Sequence, residues 1–291
     1  MLHRGQMKTI QSPKEMQLFA QNTRSRNQKI SFVPTMGYLH EGHLQLMREG
    51  RKKADCLVVS IYVNPTQFGA GEDFERYPRA PERDSKLAES VGVDVMFYPT
   101  NTDMYPADYQ TLINVEGVTE NLCGLSRPGH FRGVATICCK LFNIVKPHMA
   151  IFGKKDFQQF VVIKRMVEDL NMDIEIIGMP TVRESDGLAM SSRNVYLNRE
   201  ERKVALSLSR SLLLAQELFK GGLRNAAEIL KAVTETLEEN PILRLEYAKI
   251  CDVKTLRDLQ SVDGGSVLAL AAYVGKTRLI DNHVFGELLE I

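Results

Sequence analysis

No apolar run in this sequence approaches the roughly eighteen residues that a membrane-crossing helix needs, so a bundle of transmembrane helices is excluded. The opening stretch MLHRGQMKTI lacks the apolar core of a signal peptide. Met7 offers an alternative start, and residues 1–6 would then be a dispensable extension. Charge of one sign is also lacking: 37 Lys and Arg face 36 Asp and Glu, a net +1. Neither a nucleic-acid partner nor a membrane partner is expected from that balance. Cysteine pairing signals are missing too. Cys56, Cys123, Cys138, Cys139 and Cys251 make an odd count with no Cys-x-x-Cys, which predicts buried, reduced thiols in a cytoplasmic protein. No Gly-x-Gly-x-x-Gly follows the first strand, so the dinucleotide fingerprint is absent. There is no internal repeat and no low-complexity segment.

What is present is a globular composition, 44% hydrophobic and 25% charged over 291 residues. That length suits one large or two medium domains. Apolar runs of strand length alternate with amphipathic runs of helix length. Strands are predicted at 29–34, 56–63, 94–99, 149–153 and 174–180. Helices are predicted at 41–54, 82–92, 131–145 and 155–170. Strand, helix, strand, repeated, means parallel βαβ units and a doubly wound sheet. After Thr181 the texture changes to α+β. A long helix has Asn198 as N-cap with Glu201 at N3, a capping-box start, and ends at Gly221 and Gly222. A second helix covers 224–240. Two strands follow, at 266–275 and 277–282, turning at Gly275–Lys276. The expected domains are 1–181 and 182–291.

Ligands of open α/β sheets bind beyond the carboxyl ends of the strands. His40 and His43 lie there, between the first predicted strand and helix, with Gly37 and Gly42 beside them. A helix N-terminus attracts phosphate, and residues three apart share a face, so both imidazoles can meet one polyphosphate. Two exposed loop histidines would look the same. A zinc reading is weaker still, because the metalloprotease pattern needs His at i and i+4. GKKDFQQF, at 153–160, offers Lys155 as a phosphate contact and Asp156 as a ribose contact or helix cap. Of Gln158 and Gln159, at most one can line the same pocket. MSSRN, at 190–194, reads as a mobile anion clamp or as an interdomain linker. VNPTQF supplies Asn64 and Gln67, RPGHFRG supplies Arg127, His130 and Arg132, and ERYPRAPERD supplies Tyr77, Arg79 and Asp84.

HEGH, His40–His43, resembles the His-x-Gly-His signature of the adenylyl-transferring superfamily that includes class I tRNA synthetases, and MSSRN is similar to its Ser-rich loop. PTMGYLHEGH, VNPTQF, RPGHFRGV, GKKDFQQ and DGLAMSSRN, in this order and followed by RLIDN, resemble one family within it, the pantoate–β-alanine ligases. The likeness spans nearly the whole chain; Tyr38 and Lys154 depart from the pattern at positions between the matched groups.

The resemblance implies a Rossmann-like N-terminal domain, a smaller C-terminal α+β lid, Mg²⁺ with the ATP, and a homodimer. It implies two steps: ATP and pantoate give pantoyl adenylate and pyrophosphate, then β-alanine attacks to give pantothenate and AMP. Carried over by motif, Met36, Gly37, Tyr38, Leu39, His40, Glu41, Gly42 and His43 bind ATP. Gly153, Lys154, Lys155, Asp156, Val182, Met190, Ser191, Ser192 and Arg193 do so as well. His43 is the proton donor, and His40 and Lys155 join it in offsetting the charge of the leaving pyrophosphate. Gln67 contacts pantoate and β-alanine, Gln159 contacts pantoate, Asn64 joins the substrate contacts, and Asp84 contacts Mg²⁺. A nucleotidylyltransferase of the same superfamily and a non-catalytic ATP-binding sensor are the competing readings. AMP formation with pantoate and β-alanine, added singly and together, separates them.

Overall fold

The computed structural model describes residues 7–289; the expected extension at 1–6 lies outside them. The chain forms two compact units. The first holds residues 7–115, 127–154 and 162–180; the second holds 116–126, 155–161 and 181–289. The chain therefore passes between the units more often than a single boundary near residue 181 would have it.

The first unit is built on a six-stranded parallel sheet of β1 (Lys8–Ile10), β2 (Ile30–Thr35), β3 (Cys56–Ile61), β4 (Val95–Phe97), β5 (Met149–Gly153) and β6 (Glu175–Met179). Their order is β1-β4-β3-β2-β5-β6, the Rossmann-like doubly wound arrangement. Every residue of β3 is buried, as expected of a parallel strand covered on both faces. Pro34 stands inside β2, where a missing N–H usually breaks a ladder. It is tolerated because pairing with β5 extends only over Ser31 and Phe32. Order reverses between β2 and β5, and both strands run into polar loops there. The helices along this part of the chain are α1 (Pro13–Arg24), α2 (Glu41–Lys53), α3 (Pro81–Ser90), α4 (Asn101–Met104), α5 (Cys123–Ser126), α6 (His130–Val145) and α7 (Phe157–Asp169). β1 and α1 are not among the expected elements. A three-residue strand shows no periodicity, although Ser12, Pro13 and Glu15 do spell a helix start.

The second unit contains α8 (Arg199–Lys220), α9 (Ala226–Glu238) and an antiparallel sheet β7 (Leu243–Asp252), β8 (Ser266–Val274), β9 (Thr277–Val284) in that order. Asn198 accepts from the Glu200 and Glu201 amides at 2.9 Å while Glu201 accepts from the Asn198 amide at 3.0 Å. The capping box read from the sequence is formed. β8 and β9 meet through Gly275, whose φ is +56°. Leu208, Leu212, Ile229, Val233, Leu268 and Leu270 form the core of this unit. β7 escapes the sequence reading, because Arg244, Glu246 and Lys249 interrupt its apolar pattern. All five cysteines are free thiols, four of them buried. Among the described residues no helix is long and apolar enough to cross a membrane.

One buried group makes this unit pH-sensitive. His283 is 4% exposed, and its Nε2 has no hydrogen-bond partner among the described residues. Burial holds its imidazole down at about 4, from an ordinary 6.5. The unfolded chain takes up this proton near its ordinary value, while the folded chain resists until the lower one. Stability that is fully present above that range is therefore lost as pH falls through it. Urea midpoints between pH 7 and 4.5 should fall less for His283→Leu than for the parent chain. Equal slopes for the two proteins would assign the acid sensitivity to other groups.

Candidate active site

β2 ends at Thr35, and the chain then turns through two left-handed residues, Gly37 at φ +82° and Tyr38 at φ +49°. A Cβ on Gly37 would stand 2.9 Å from Ile61 Cγ2 and 3.1 Å from Asp84 Oδ2, so only glycine fits. The turn is held by Asp84, on α3. Tyr38 N donates to Asp84 Oδ2 and Leu39 N to Oδ1, both at 2.7 Å. Arg83 donates to the Leu39 carbonyl at 2.8 Å. Asp84 is 1% exposed. Burial pushes its carboxyl above the ordinary value, partly offset by the two amides and Arg83. Each oxygen of Asp84 accepts one backbone N–H, so the residue shapes the turn.

That turn delivers His40 as N-cap of α2 and His43 one turn in. Their ring centroids are 4.0 Å apart. His40 N donates to His43 Nδ1 at 3.3 Å. With Nδ1 an acceptor, the neutral ring carries its proton on Nε2, which makes Nε2 a donor. The N–H groups and positive dipole end of α2 lie beside it. Glu41 commits its carboxylate to Arg48, so it contributes backbone alone. A cavity of about 230 Å³ opens beside the turn, lined by Met36, Gly37, Tyr62, Arg79, Asp84 and Tyr98 among others. It lies beyond the carboxyl ends of β2, β3 and β4, where the sheet rule places ligands.

Asn64 and Gln67 follow β3, Gln67 within a 3₁₀ turn at Pro65–Gln67. Asn64 Oδ1 accepts from Thr66 Oγ1 and Tyr105 OH, each at 3.0 Å. Its Nδ2 donates to Gln67 Oε1 at 2.9 Å and to the Gly133 carbonyl at 3.2 Å. Both Asn64 hydrogens and its oxygen are thereby used, and the residue is 1% exposed. Asn64 holds Gln67 by its Oε1, which leaves the Gln67 NH₂ to donate. The Gln67 carbonyl accepts from His130 Nδ1 at 2.8 Å and from Arg127 Nη2 at 3.1 Å. Arg127 is forked onto Glu72 at 2.6 and 2.7 Å. Burial works against the Glu72 charge, yet Arg127 holds its carboxyl below the ordinary value. α6 approaches this turn so closely that a Cβ on Gly133 would stand 2.3 Å from the Thr66 carbonyl oxygen. Arg127 and His130 are visible in the sequence as a motif. Tyr105 and Gly133 carry no local signal, since their roles exist only once α6 and the turn meet.

β5 ends at Gly153, followed by a 3₁₀ turn Lys154–Asp156. Lys155 belongs to the second unit, and its ammonium is 3.8 Å from Asp156 Oδ2. Gln158 is locked: it accepts from Cys123 N at 3.0 Å and donates to the carbonyls of Val118 at 3.0 Å and Asn121 at 2.8 Å. Gln159, the next residue on α7, takes no part in that lock. Val182 and Met190 close a short hairpin, Met190 N donating to Val182 O at 2.9 Å. Ser191 then caps a 3₁₀ turn Ser192–Tyr196, accepting from Arg193 N at 3.2 Å. Asn194 donates to Glu184 Oε1 at 2.7 Å and to the Ala189 carbonyl at 3.1 Å. The stretch read as a clamp or a linker forms a hydrogen-bonded turn.

Comparison with known proteins agrees with this geometry. The family model described as pantoate-beta-alanine ligase matches residues 8–284. A pantothenate synthetase of Syntrophus aciditrophicus is 67% identical, over 98% of this chain and 100% of that protein. The crystal structure of pantothenate synthetase from Thermus thermophilus superposes with a TM-score of 0.90 at 44% identity, covering 96% of this chain and 99% of that one. The Francisella tularensis pantoate-beta-alanine ligase, solved with beta-gamma ATP and beta-alanine, gives a TM-score of 0.79 at 35% identity, over 96% and 97%. A match of this length and identity, on a sheet that ends in the turn and histidine pair just described, places the chain in the pantoate–β-alanine ligase family.

Proposed function

We propose that this chain joins pantoate to β-alanine with the consumption of ATP, through a pantoyl adenylate. The observation that carries the reading is the His43 ring, fixed by the His40 amide as an Nε2–H donor at the N-terminus of α2. A carboxylate does not acylate an amine at neutral pH until one of its oxygens becomes a good leaving group. In the first step a pantoate carboxylate oxygen attacks the α-phosphorus, the Pα–O bond to the β-phosphate breaks, and pyrophosphate departs. His43, His40 and Lys155 offset the charge that moves onto it. In the second step the β-alanine nitrogen attacks the acyl carbon, the bond to AMP breaks, and the amine gives up a proton. Holding the reactants in place is worth an effective molarity of about 10⁵–10⁸ M.

Gln67 presents an NH₂ for pantoate. The turn at Met36–His43, the residues Gly153–Asp156, and Val182 with Met190–Arg193 serve ATP. The nucleotide would enter as its Mg²⁺ complex, the ion offsetting phosphate charge, and Asp84 is the contact that the family resemblance implies for it. A homodimer, implied by the family resemblance, and a cytoplasmic setting, read from the unpaired cysteines, complete the reading.

Pyrophosphate exchange tests it. Labelled pyrophosphate should enter ATP when pantoate is present and β-alanine absent, since no group of the adenylation machinery has to come from the amine. AMP should accumulate in quantity only with both acids. Exchange that waits for the amine would point to a concerted reaction; exchange independent of pantoate would point to a nucleotidylyltransferase. ATP binding with neither would make the protein a sensor.

A further inference from the structure

The polar residues of β9 have no part in the chemistry above, yet they are among the most buried of the second unit. Asp281 is 2% exposed and Asn282 8%. A carboxylate and an amide inside an apolar sheet are costly unless each is fully partnered. Neighbours on a strand point to opposite faces, and these two hold different segments.

Asp281 takes both terminal nitrogens of Arg183, at 2.7 and 3.0 Å, the forked geometry that fixes orientation as well as distance. Arg183 also donates to the Gly187 carbonyl at 3.2 Å and is bridged to Ala189. It thus closes the hairpin from Val182 to Met190 from within, and that hairpin runs directly into Ser191, Ser192 and Arg193. Asn282 Nδ2 donates to the carbonyl oxygen of Lys155 at 2.8 Å, across 127 positions of sequence. Among the described residues, the Lys155 ammonium is steadied by a 3.8 Å contact with Asp156 alone. Its aim therefore depends on where its backbone is held.

We propose that Asp281 and Asn282 are a positioning pair, which sets Lys155 and the Met190–Arg193 turn in fixed relation within the second unit so that both can serve one nucleotide. The proposal rests on the adenylation reading and deepens it. One strand with two adjacent polar side chains does what neither segment can do for itself: the 3₁₀ turn of Lys155 and the turn at Ser192 are each too short to be rigid alone.

Asn282→Ala and Asn282→Asp test it, since both remove the donor to Lys155 and the second keeps the side-chain shape. Asp281→Asn leaves Arg183 half-paired and is the variant more prone to unfolding. Three readouts are needed: single-turnover adenylation of pantoate, ATP affinity, and thermal unfolding. Each Asn282 variant is expected to lose about tenfold in adenylation rate with ATP affinity nearly unchanged. In a Lys155→Ala background the same substitutions should cost nothing further, because the residue acts through Lys155. An equal loss in both backgrounds would overturn the proposal, as would a folded variant with a normal rate. If both variants fail to fold, the pair holds the unit and not the site, which also overturns it. The parent chain and Lys155→Ala alone report on the underlying reading. If the parent forms no adenylate, or Lys155→Ala matches it, that reading fails first and the proposal with it.

Discussion

His43→Ala and Lys155→Ala should each slow adenylation of pantoate by about 10²–10³-fold while ATP binds almost as before. The split follows from when the charge appears. In bound ATP the bridging oxygen between the α- and β-phosphates carries little extra charge; it gains charge as the Pα–O bond breaks. A donor aimed at that oxygen stabilises the transition state more than the ground state, and only that difference accelerates the step.

His43 can meet this requirement through Nε2–H. The His40 amide donates to Nδ1 at 3.3 Å, which leaves Nε2 as the nitrogen that can face the departing oxygen. His43→Gln, which can place an amide N–H in the same direction, should recover part of the loss. The Lys155 ammonium has Asp156 Oδ2 as a neighbour at 3.8 Å, and its side chain is 20% exposed. Rapid-quench measurement of adenylate in a single turnover, with ATP affinity by calorimetry, separates the two effects. A variant that adenylates at the parent rate takes no part in the step. One that loses ATP affinity and rate equally is a binding residue and not a transition-state residue.

Gln67→Ala should raise the pantoate concentration needed for half-maximal rate by one to two orders of magnitude, with ATP affinity nearly constant. Removing one partner of a buried hydrogen bond costs roughly 1–3 kcal/mol. Here the geometry says which half of the amide does the work. Asn64 occupies Gln67 Oε1, and Asn64 is itself oriented because Thr66 and Tyr105 saturate its oxygen. Gln67 is left with its NH₂ to give to the substrate. An arginine in its place would grip both carboxylate oxygens and lower their nucleophilicity; an amide leaves one oxygen free to attack. Gln67→Glu should therefore be worse than Gln67→Ala. It retains the bond from Asn64 but sets a carboxylate against a carboxylate. Gln159→Ala carries the same expectation for pantoate, whereas Gln158→Ala should act on stability, since all its bonds are internal. Separate titrations of pantoate and ATP decide the matter. Unchanged pantoate dependence in Gln67→Ala would place the residue outside the acid pocket.

The sequence by itself determined the parts of this protein that depend on near neighbours. The alternation of apolar and amphipathic runs was enough for the parallel sheet, because strands buried on both faces must be continuously apolar. Asn198 and Glu201 announced α8 because a capping box is local. The histidines at 40 and 43 could be placed at a helix start because strand, glycine and helix follow one another along the chain. Only the tertiary structure decided what supports those residues. Asp84 stands 46 and 45 positions from the Tyr38 and Leu39 amides that it accepts from, and only the packing of α3 under the turn brings them together. The bonds of Asn64 to Tyr105 and Gly133 form only once those residues arrive from later in the chain. β7 is hidden because the partners of its charged residues, such as Arg278 for Glu246 and Asp258 for Lys249, lie on other segments. Asn282 and the Lys155 carbonyl meet only in three dimensions. Burial is the common physical reason. A polar group taken out of water must find its partner wherever the fold supplies one, and sequence distance does not limit where that is.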